Sequence, residues 1–279
     1  MVATTKIPAG TKILVEKPLF SVALPEMVAG QGFRIGDMVA DIEKGFNQLS
    51  LDQQEEFLAL HDHRFPDENQ INLLTILRSN GYNTGENQVG LFPNIARINH
   101  SCKPNCGNFW SAKAGHRVIY TESDIMEGEE ITVSYIPLLK SNKERHARLQ
   151  QYGFVCDCSA CQSAESSKRR TKIHDMLESL EQKLHASSKK AETNDRLIKK
   201  STRLIELVEE EGLTNYLAKA LHLASIFNQR RGNLEAAMEW ATKELQIHQW
   251  AEVDSEEALT TTRYMEALMN GNMEDYDFV

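Results

Sequence analysis

Apolar and polar positions divide this chain into two parts with different periods. Up to about Tyr135 the apolar residues come in short runs. Residues 11–15 (Thr-Lys-Ile-Leu-Val) and 20–22 (Phe-Ser-Val) read as short strands on either side of Pro18. Ile42, Phe46 and Leu49 then recur at helical spacing. Ser50 followed by Gln53 is a capping-box pattern, which predicts a second helix through Phe57 and Leu60. The run at 71–77 is too short for its period to separate helix from buried strand. Residues 81–104 are rich in Gly, Asn and Pro and predict turns and loops. Strands are expected again at 117–120 and 131–135, with a turn at Gly128 between them.

From Lys168 onward the period is helical throughout. Ile173, Met176, Leu177, Leu180 and Leu184 make one apolar stripe, and Leu197, Leu204 and Val208 continue it on a second helix. A third helix is expected over 214–231, a fourth over 234–248 and a fifth from Ser255, with Gly232-Asn233 as the break between the third and fourth. The third and fourth resemble one tetratricopeptide helix pair, although no regular 34-residue period runs through the region. Glu274, Asp275 and Asp277 form an acidic, solvated end. The pattern as a whole predicts an α+β protein whose C-terminal region is all-α.

Composition narrows the class. The 279 residues are 41% hydrophobic and 25% charged, an ordinary globular balance. No basic-then-apolar leader and no bilayer-length apolar stretch is expected, so the reading is intracellular, in nucleus or cytoplasm, without a membrane partner. The net charge of -9 opposes a broad phosphate-binding surface and favours basic partners such as lysine-rich tails. A small zinc-organised nucleic-acid binder is disfavoured by the same acidity.

The cysteines change the picture most. Cys156, Cys158 and Cys161 lie within six residues, too close for all three thiols to spread through a core. With one more thiol from the 102–106 region they complete the four-sulfur set of a structural zinc. Spacing alone does not separate Cys102 from Cys106 as that ligand. Buried free thiols are the plainer alternative.

Three motifs in order carry a family resemblance. Asn99-His100-Ser101-Cys102-Lys103-Pro104-Asn105 is similar to the N-H-S-C-x-P-N signature of SET-domain protein-lysine methyltransferases. Gly128-Glu129-Glu130-Ile131-Thr132-Val133-Ser134-Tyr135 resembles their G-E-E-[IV]-T-x-x-Y strand. Tyr152-Gly153-Phe154, running into Cys156-Asp157-Cys158-Ser159-Ala160-Cys161, resembles the post-SET cysteine motif. The nearest likeness is to the SET-and-MYND group and related fungal SET proteins. Taken singly, Tyr135 reads as a packed strand-end tyrosine, Phe154 as core and Asn99-His100 as a turn pair. The ordered combination is what points to chemistry.

The resemblance implies a β-rich SET domain over 1–136 with knot-like threading and a helical insert at about 37–79. It implies a zinc-bound post-SET segment over 137–164 and a helical region over 165–279. S-adenosylmethionine would be held by Asn80, Asn99, His100, Tyr135 and Phe154. Tyr135 and Tyr152 would be catalytic, lining the lysine channel, and Cys102, Cys156, Cys158 and Cys161 would bind zinc, which leaves Cys106 spare. The implied function is S-adenosylmethionine-dependent methylation of a lysine in a protein substrate, a histone tail or a non-histone protein, by a monomer that binds no nucleic acid directly. Two departures are visible. No glycine precedes Gly10, where the family has a Gly-x-Gly segment, and no cysteine precedes Cys102, so no MYND finger is expected. Weaker cofactor binding follows as an expectation. A catalytically weak SET scaffold that binds a partner through its helical region is the alternative.

Overall fold

The computed structural model describes residues 1–28, 32–65, 72–184 and 191–271, so the acidic end at 274–277 and Ile71 lie outside the described residues. The chain opens with β1 (Lys12–Glu16), β2 (Ser21–Ala23), β3 (Met27–Val28) and β4 (Gly32–Phe33). Three helices follow: α1 (Val39–Asn47), α2 (Leu51–Leu58) and α3 (Leu73–Asn80). Then come β5 (Gly81–Asn83), β6 (Gln88–Leu91), β7 (Asn99–His100), β8 (Cys106–Ser111), β9 (His116–Thr121) and β10 (Thr132–Val133). Beyond β10 the described elements are helical: α4 (Asn142–Leu149), α5 (Ser159–Gln162), α6 (Ala164–Leu184), α7 (Ala191–Glu211), α8 (Thr214–Arg231), α9 (Leu234–Ala251) and α10 (Glu256–Asn270).

The strands form small sheets. β9 is central in the order β1-β9-β8, antiparallel on both sides, and residues 117–121 are buried. β6 joins β2 and β5, and β7 pairs with β10 in parallel register, Asn99 opposite Thr132 and His100 opposite Val133. β3 and β4 make a separate short hairpin. The loop expected over 81–104 therefore needs correction, because β5, β6 and β7 fall inside it. Their Gly, Asn and Pro content signals turns, but tertiary pairing overrides that local preference. The strand expected at 131–135 is shorter, covering Thr132–Val133.

Local sequence explains the helices. Ser50 Oγ accepts the Gln53 N–H and Gln53 Oε1 accepts the Ser50 N–H, the reciprocal cap expected from the pattern. Ser141 and Glu144 repeat it at the start of α4, a helix the apolar period does not reveal because its first two turns are charged. Ser141→Ala is expected to lower stability by about 1 kcal/mol, read as the urea midpoint. Asn72 Oδ1 caps α3 by accepting the Thr75 N–H at 2.8 Å, which decides the ambiguous 71–77 run in favour of helix from Leu73.

Packing ties the helical region to the strands. One core runs from Ile136, Leu138 and Leu149 through Ile173 and Leu177 of α6 to Leu204 of α7 and Leu221 of α8, with Tyr135, Tyr152 and Phe154 packed against it. Arg170 is fully buried and pairs with Glu211 at 3.0 Å, while Ser166 Oγ donates to the same carboxylate at 2.5 Å. At the far end Ser111 Oγ donates to Glu252 at 2.8 Å, and Trp250 lies over Gly10, where a Cβ would meet the indole at 2.6 Å. A second core under the sheets gathers Phe92, Ile98, Ile119 and Val133. The helical insert packs around Ile42, Phe57 and Ile76.

Candidate functional site

The parallel β7–β10 pairing brings Asn99-His100 and Ser134-Tyr135 side by side, although they are far apart in sequence. The Tyr135 backbone N–H donates to His100 Nδ1 at 3.0 Å. A backbone N–H can only donate, so Nδ1 is the acceptor and the ring proton sits on Nε2. That nitrogen points at Cys102 Sγ, 3.3 Å away. Burial pushes the imidazole down to about 4, so the ring is neutral at ordinary pH, as this pattern of bonds needs. His100 thereby connects the tyrosine to the cysteine cluster.

Tyr135 is also held by its other end. Its hydroxyl donates to the Ile98 carbonyl at 2.5 Å, which uses its one proton. Burial, with Tyr152 as the next cause, raises the phenol to about 12. The ring lies 5.0 Å from Tyr152, 5.3 Å from His100 and 6.5 Å edge-on to Phe154.

Tyr152 and Phe154 flank Gly153, which closes the short turn after α4 with φ +80. The same glycine admits the His63 ring, and a Cβ there would overlap it. Left-handed backbone and close approach both demand glycine here. Gly153→Ala is expected to cost about 1–2 kcal/mol in stability from the backbone conformation alone, read by thermal unfolding. The helical insert supports this turn, since His61 Nε2 lies 3.2 Å from the Tyr152 carbonyl oxygen.

Two pockets meet at Tyr135. One is walled by Asn99, His100, Glu130, Phe154 and Asp157. The other is walled by Asn80, Tyr82, Asn108, Ser134 and Tyr152, and Tyr135 lines both. The structure thus brings Asn99, His100, Tyr135 and Phe154 to one pocket. It places Asn80 with Tyr152 in the second pocket, its amide nitrogen donating to the His61 and Ile76 carbonyls at 2.7 Å each. Tyr82 is a wall residue that motif reading did not single out. Its signal was available in Asn80-Gly81-Tyr82, where the aromatic follows the asparagine by two positions on a strand. Glu130 is another, accepting from Asn99 Nδ2 at 2.6 Å.

The cysteines converge. The sulfurs of Cys102, Cys156, Cys158 and Cys161 lie within 4.8 Å of one another, and among the described residues no other group has comparable metal-binding geometry. A tetrahedral zinc with bonds of about 2.3 Å needs sulfurs about 3.8 Å apart; Cys161 and Cys102 are 3.5 Å apart, so the set fits. Hydrogen bonding between Cys102 and Cys158 pushes the first thiol up and the second down. Arg145, fully buried, approaches Cys161 Sγ at 3.8 Å. Cys106 sits apart in the core under the sheets.

The site thus combines the parallel β7–β10 pairing, Tyr135 just beyond β10, and a cluster of four thiols. The family model for the SET domain matches residues 1–136, and the chain carries that domain. Over 177 residues the chain is 34% identical to "Histone-lysine N-methyltransferase set5" of Schizosaccharomyces pombe, which is 63% of this chain and 50% of that protein. It is 41% identical over 78 residues to "Histone-lysine N-methyltransferase SMYD3" of Homo sapiens, 28% of this chain and 18% of that protein. "N-lysine methyltransferase SMYD2" of Gallus gallus is 29% identical over 151 residues, 48% of this chain and 34% of that protein. The chain therefore spans half or less of the length of these relatives. No described helix is long and apolar enough to cross a membrane.

Proposed function

We propose that this chain transfers a methyl group from S-adenosylmethionine to the ε-amine of a lysine in a protein substrate, a histone tail or a non-histone protein inside the cell. The observation that carries the reading is the pair of pockets that share Tyr135 as a common wall. Two reactants could enter from different sides and meet at one hydroxyl. The relatives' names point the same way.

When bound, S-adenosylmethionine supplies a sulfonium methyl for in-line displacement. Asn99, His100 and Phe154 would hold it, with the Phe154 ring as the flat apolar wall for adenine, and Asn80 would contact it from the second pocket. Tyr82, Tyr135 and Tyr152 would form the lysine channel. A solvated lysine has a pKa near 10.4 and is mostly protonated. An aromatic, water-poor channel disfavours the ammonium and lowers that value. The Tyr135 proton is engaged by Ile98, so only its oxygen lone pairs face a ligand. The hydroxyl would therefore accept an N–H from the lysine amine and leave the nitrogen lone pair free to attack. With its phenol held at about 12, Tyr135 acts as a positioning acceptor and stays protonated.

The four cysteines would hold a structural zinc that joins the 99–105 loop to the segment before α6. We also read this zinc-pinned segment as post-SET, the crossing at β7 and β10 as the knot-like threading of such domains, and α8–α9 as a tetratricopeptide-like pair.

Calorimetric titration with S-adenosylmethionine, followed by labelled-methyl transfer to histone and whole-cell protein substrates, tests the proposal. Absence of cofactor binding by the folded, zinc-loaded chain would sink it. Phe154→Ala is expected to weaken cofactor binding about three- to tenfold through the lost aromatic contact, measured in the same titration.

A further inference from the structure

A second cleft has chemistry that the transfer reaction does not use. It lies between the 103–105 loop, the 122–130 turn and the α7–α8 junction, and is lined by Lys103, Glu122, Asp124, Glu129, Glu130 and Gly212. Three of its carboxylates already have partners. Asp124 pairs with Lys6 at 2.7 Å and accepts the Ala9 N–H at 3.0 Å. Glu129 Oε2 accepts the Met126 N–H at 2.7 Å, and Glu130 Oε1 accepts from Asn99.

Glu122 is different. It is 7% exposed, and its Oε1 is buried with no hydrogen-bond partner. The backbone beneath it is fixed, because its N–H donates to the Asn105 carbonyl at 2.8 Å. The side chain occupies space left by Gly107, where a Cβ would lie 2.7 Å from Oε1. Burial pushes the carboxyl up to about 8. The Lys103 stem lies against Gly212. Burial of a carboxyl at the wall of a cleft disfavours its charged form, and a cation placed in the cleft would offset that cost.

We propose that this cleft docks a basic side chain of a protein partner, an arginine or lysine that reaches Glu122 while neighbouring basic residues lie along Asp124, Glu129 and Glu130. A divalent ion does not fit, because among the described residues only the cysteines bring three ligand atoms close enough to share one. An extended basic segment does fit, because the acids are spread along the cleft and the whole chain carries a charge of -9. Glu130 also lines the Asn99–Phe154 pocket, so the docked residue lies beside the reaction site. The inference deepens the proposed function by giving the substrate a basic residue away from its target lysine. It rests on that reading only in calling the partner a substrate.

The test uses the full zinc-loaded chain without cofactor and a fluorescein-labelled oligo-arginine peptide, followed by anisotropy. Glu122→Gln keeps the shape and removes the carboxylate that a bound cation would stabilise. It is expected to weaken binding about thirtyfold, as for loss of one member of a buried charge pair. Glu165→Gln removes an exposed α6 acid paired with Lys168 and is expected to leave binding within about twofold. Equal binding by wild type and Glu122→Gln, or equal losses in the two variants, overturns the proposal. Carbon-detected NMR of the Glu122 carboxyl in the wild type provides a readout independent of variant folding. Saturating peptide is expected to move its titration to lower pH, and an unmoved titration also overturns the proposal. Because no methyl donor is present, a peptide that binds through Glu122 but is never methylated would sink the transferase reading and leave the docking site standing.

Discussion

Cys161→Ser is expected to release zinc, lower the unfolding midpoint and reduce methyl transfer more than a hundredfold. Three sulfurs come from one short segment and one from the loop after β7, so the metal would be the cross-link that holds Cys102 against Cys156, Cys158 and Cys161. Structural zinc sites contribute on the order of 10 kcal/mol of apparent binding free energy in small domains. Losing one thiolate of four forfeits a large part of that and leaves the buried Cys102 and Cys156 without their shared partner. Tyr152 and Phe154 lie a few residues before Cys156, on the same turn, and both pack against the core that Cys102 and Cys156 help form. Release of the metal should therefore open both pockets at once. Plasma-source metal analysis, thermal unfolding and amide exchange over 150–165 check the expectation without reference to activity. A variant that keeps one zinc per chain and melts like the wild type would remove Cys161 from the site. Cys106→Ser is the matched control, since that thiol lies in a different core, and it is expected to keep the metal.

Much of the candidate site's layout was legible in the sequence, because short motifs gather its residue types. The closely spaced thiols, the Asn99-His100 pair and the Tyr152-Gly153-Phe154 turn are local, and their residue types suit few roles. Helices α6 to α10 were equally visible, since each presents an apolar stripe or a clear break such as Gly232. The strands around the site were harder. β8 holds Gly107 and Asn108, which argue against a strand locally, yet Gly107 is needed because the Tyr120 and Glu122 side chains occupy its Cβ position. β7 and β10 are two residues each and exist through their mutual pairing. Tyr82 had only the weak local signal of Asn80-Gly81-Tyr82, and Glu122 had none. Tyr82 reaches the second pocket through sheet register, and Glu122 becomes unusual through burial, which a single sequence does not display.

Tyr135→Phe is expected to lower single-turnover methyl transfer by at least about tenfold, roughly 1.4 kcal/mol in the barrier, and by up to about a thousandfold if the hydroxyl ranks with other preorganised hydrogen-bonding groups. The ring should stay in place, because the anchor to His100 Nδ1 is the backbone N–H, which the substitution retains. What disappears is the hydroxyl oxygen of Tyr135 and its donation to Ile98. Loss of that donation leaves a carbonyl short of a partner and should cost about 1–3 kcal/mol of stability. The two effects separate experimentally: unfolding reports the carbonyl, and the chemical step at saturating substrates reports the oxygen. Cofactor affinity is expected to change little, since Asn99, His100 and Phe154 remain. Burial holds the wild-type phenol at about 12, so the hydroxyl stays protonated across the working range. The rate should therefore rise with pH as the substrate lysine loses its proton, with no tyrosine titration below about pH 10, and the variant should follow the same profile at a lower level. An unchanged chemical step in Tyr135→Phe would remove the hydroxyl from the mechanism and leave the aromatic wall as the residue's contribution.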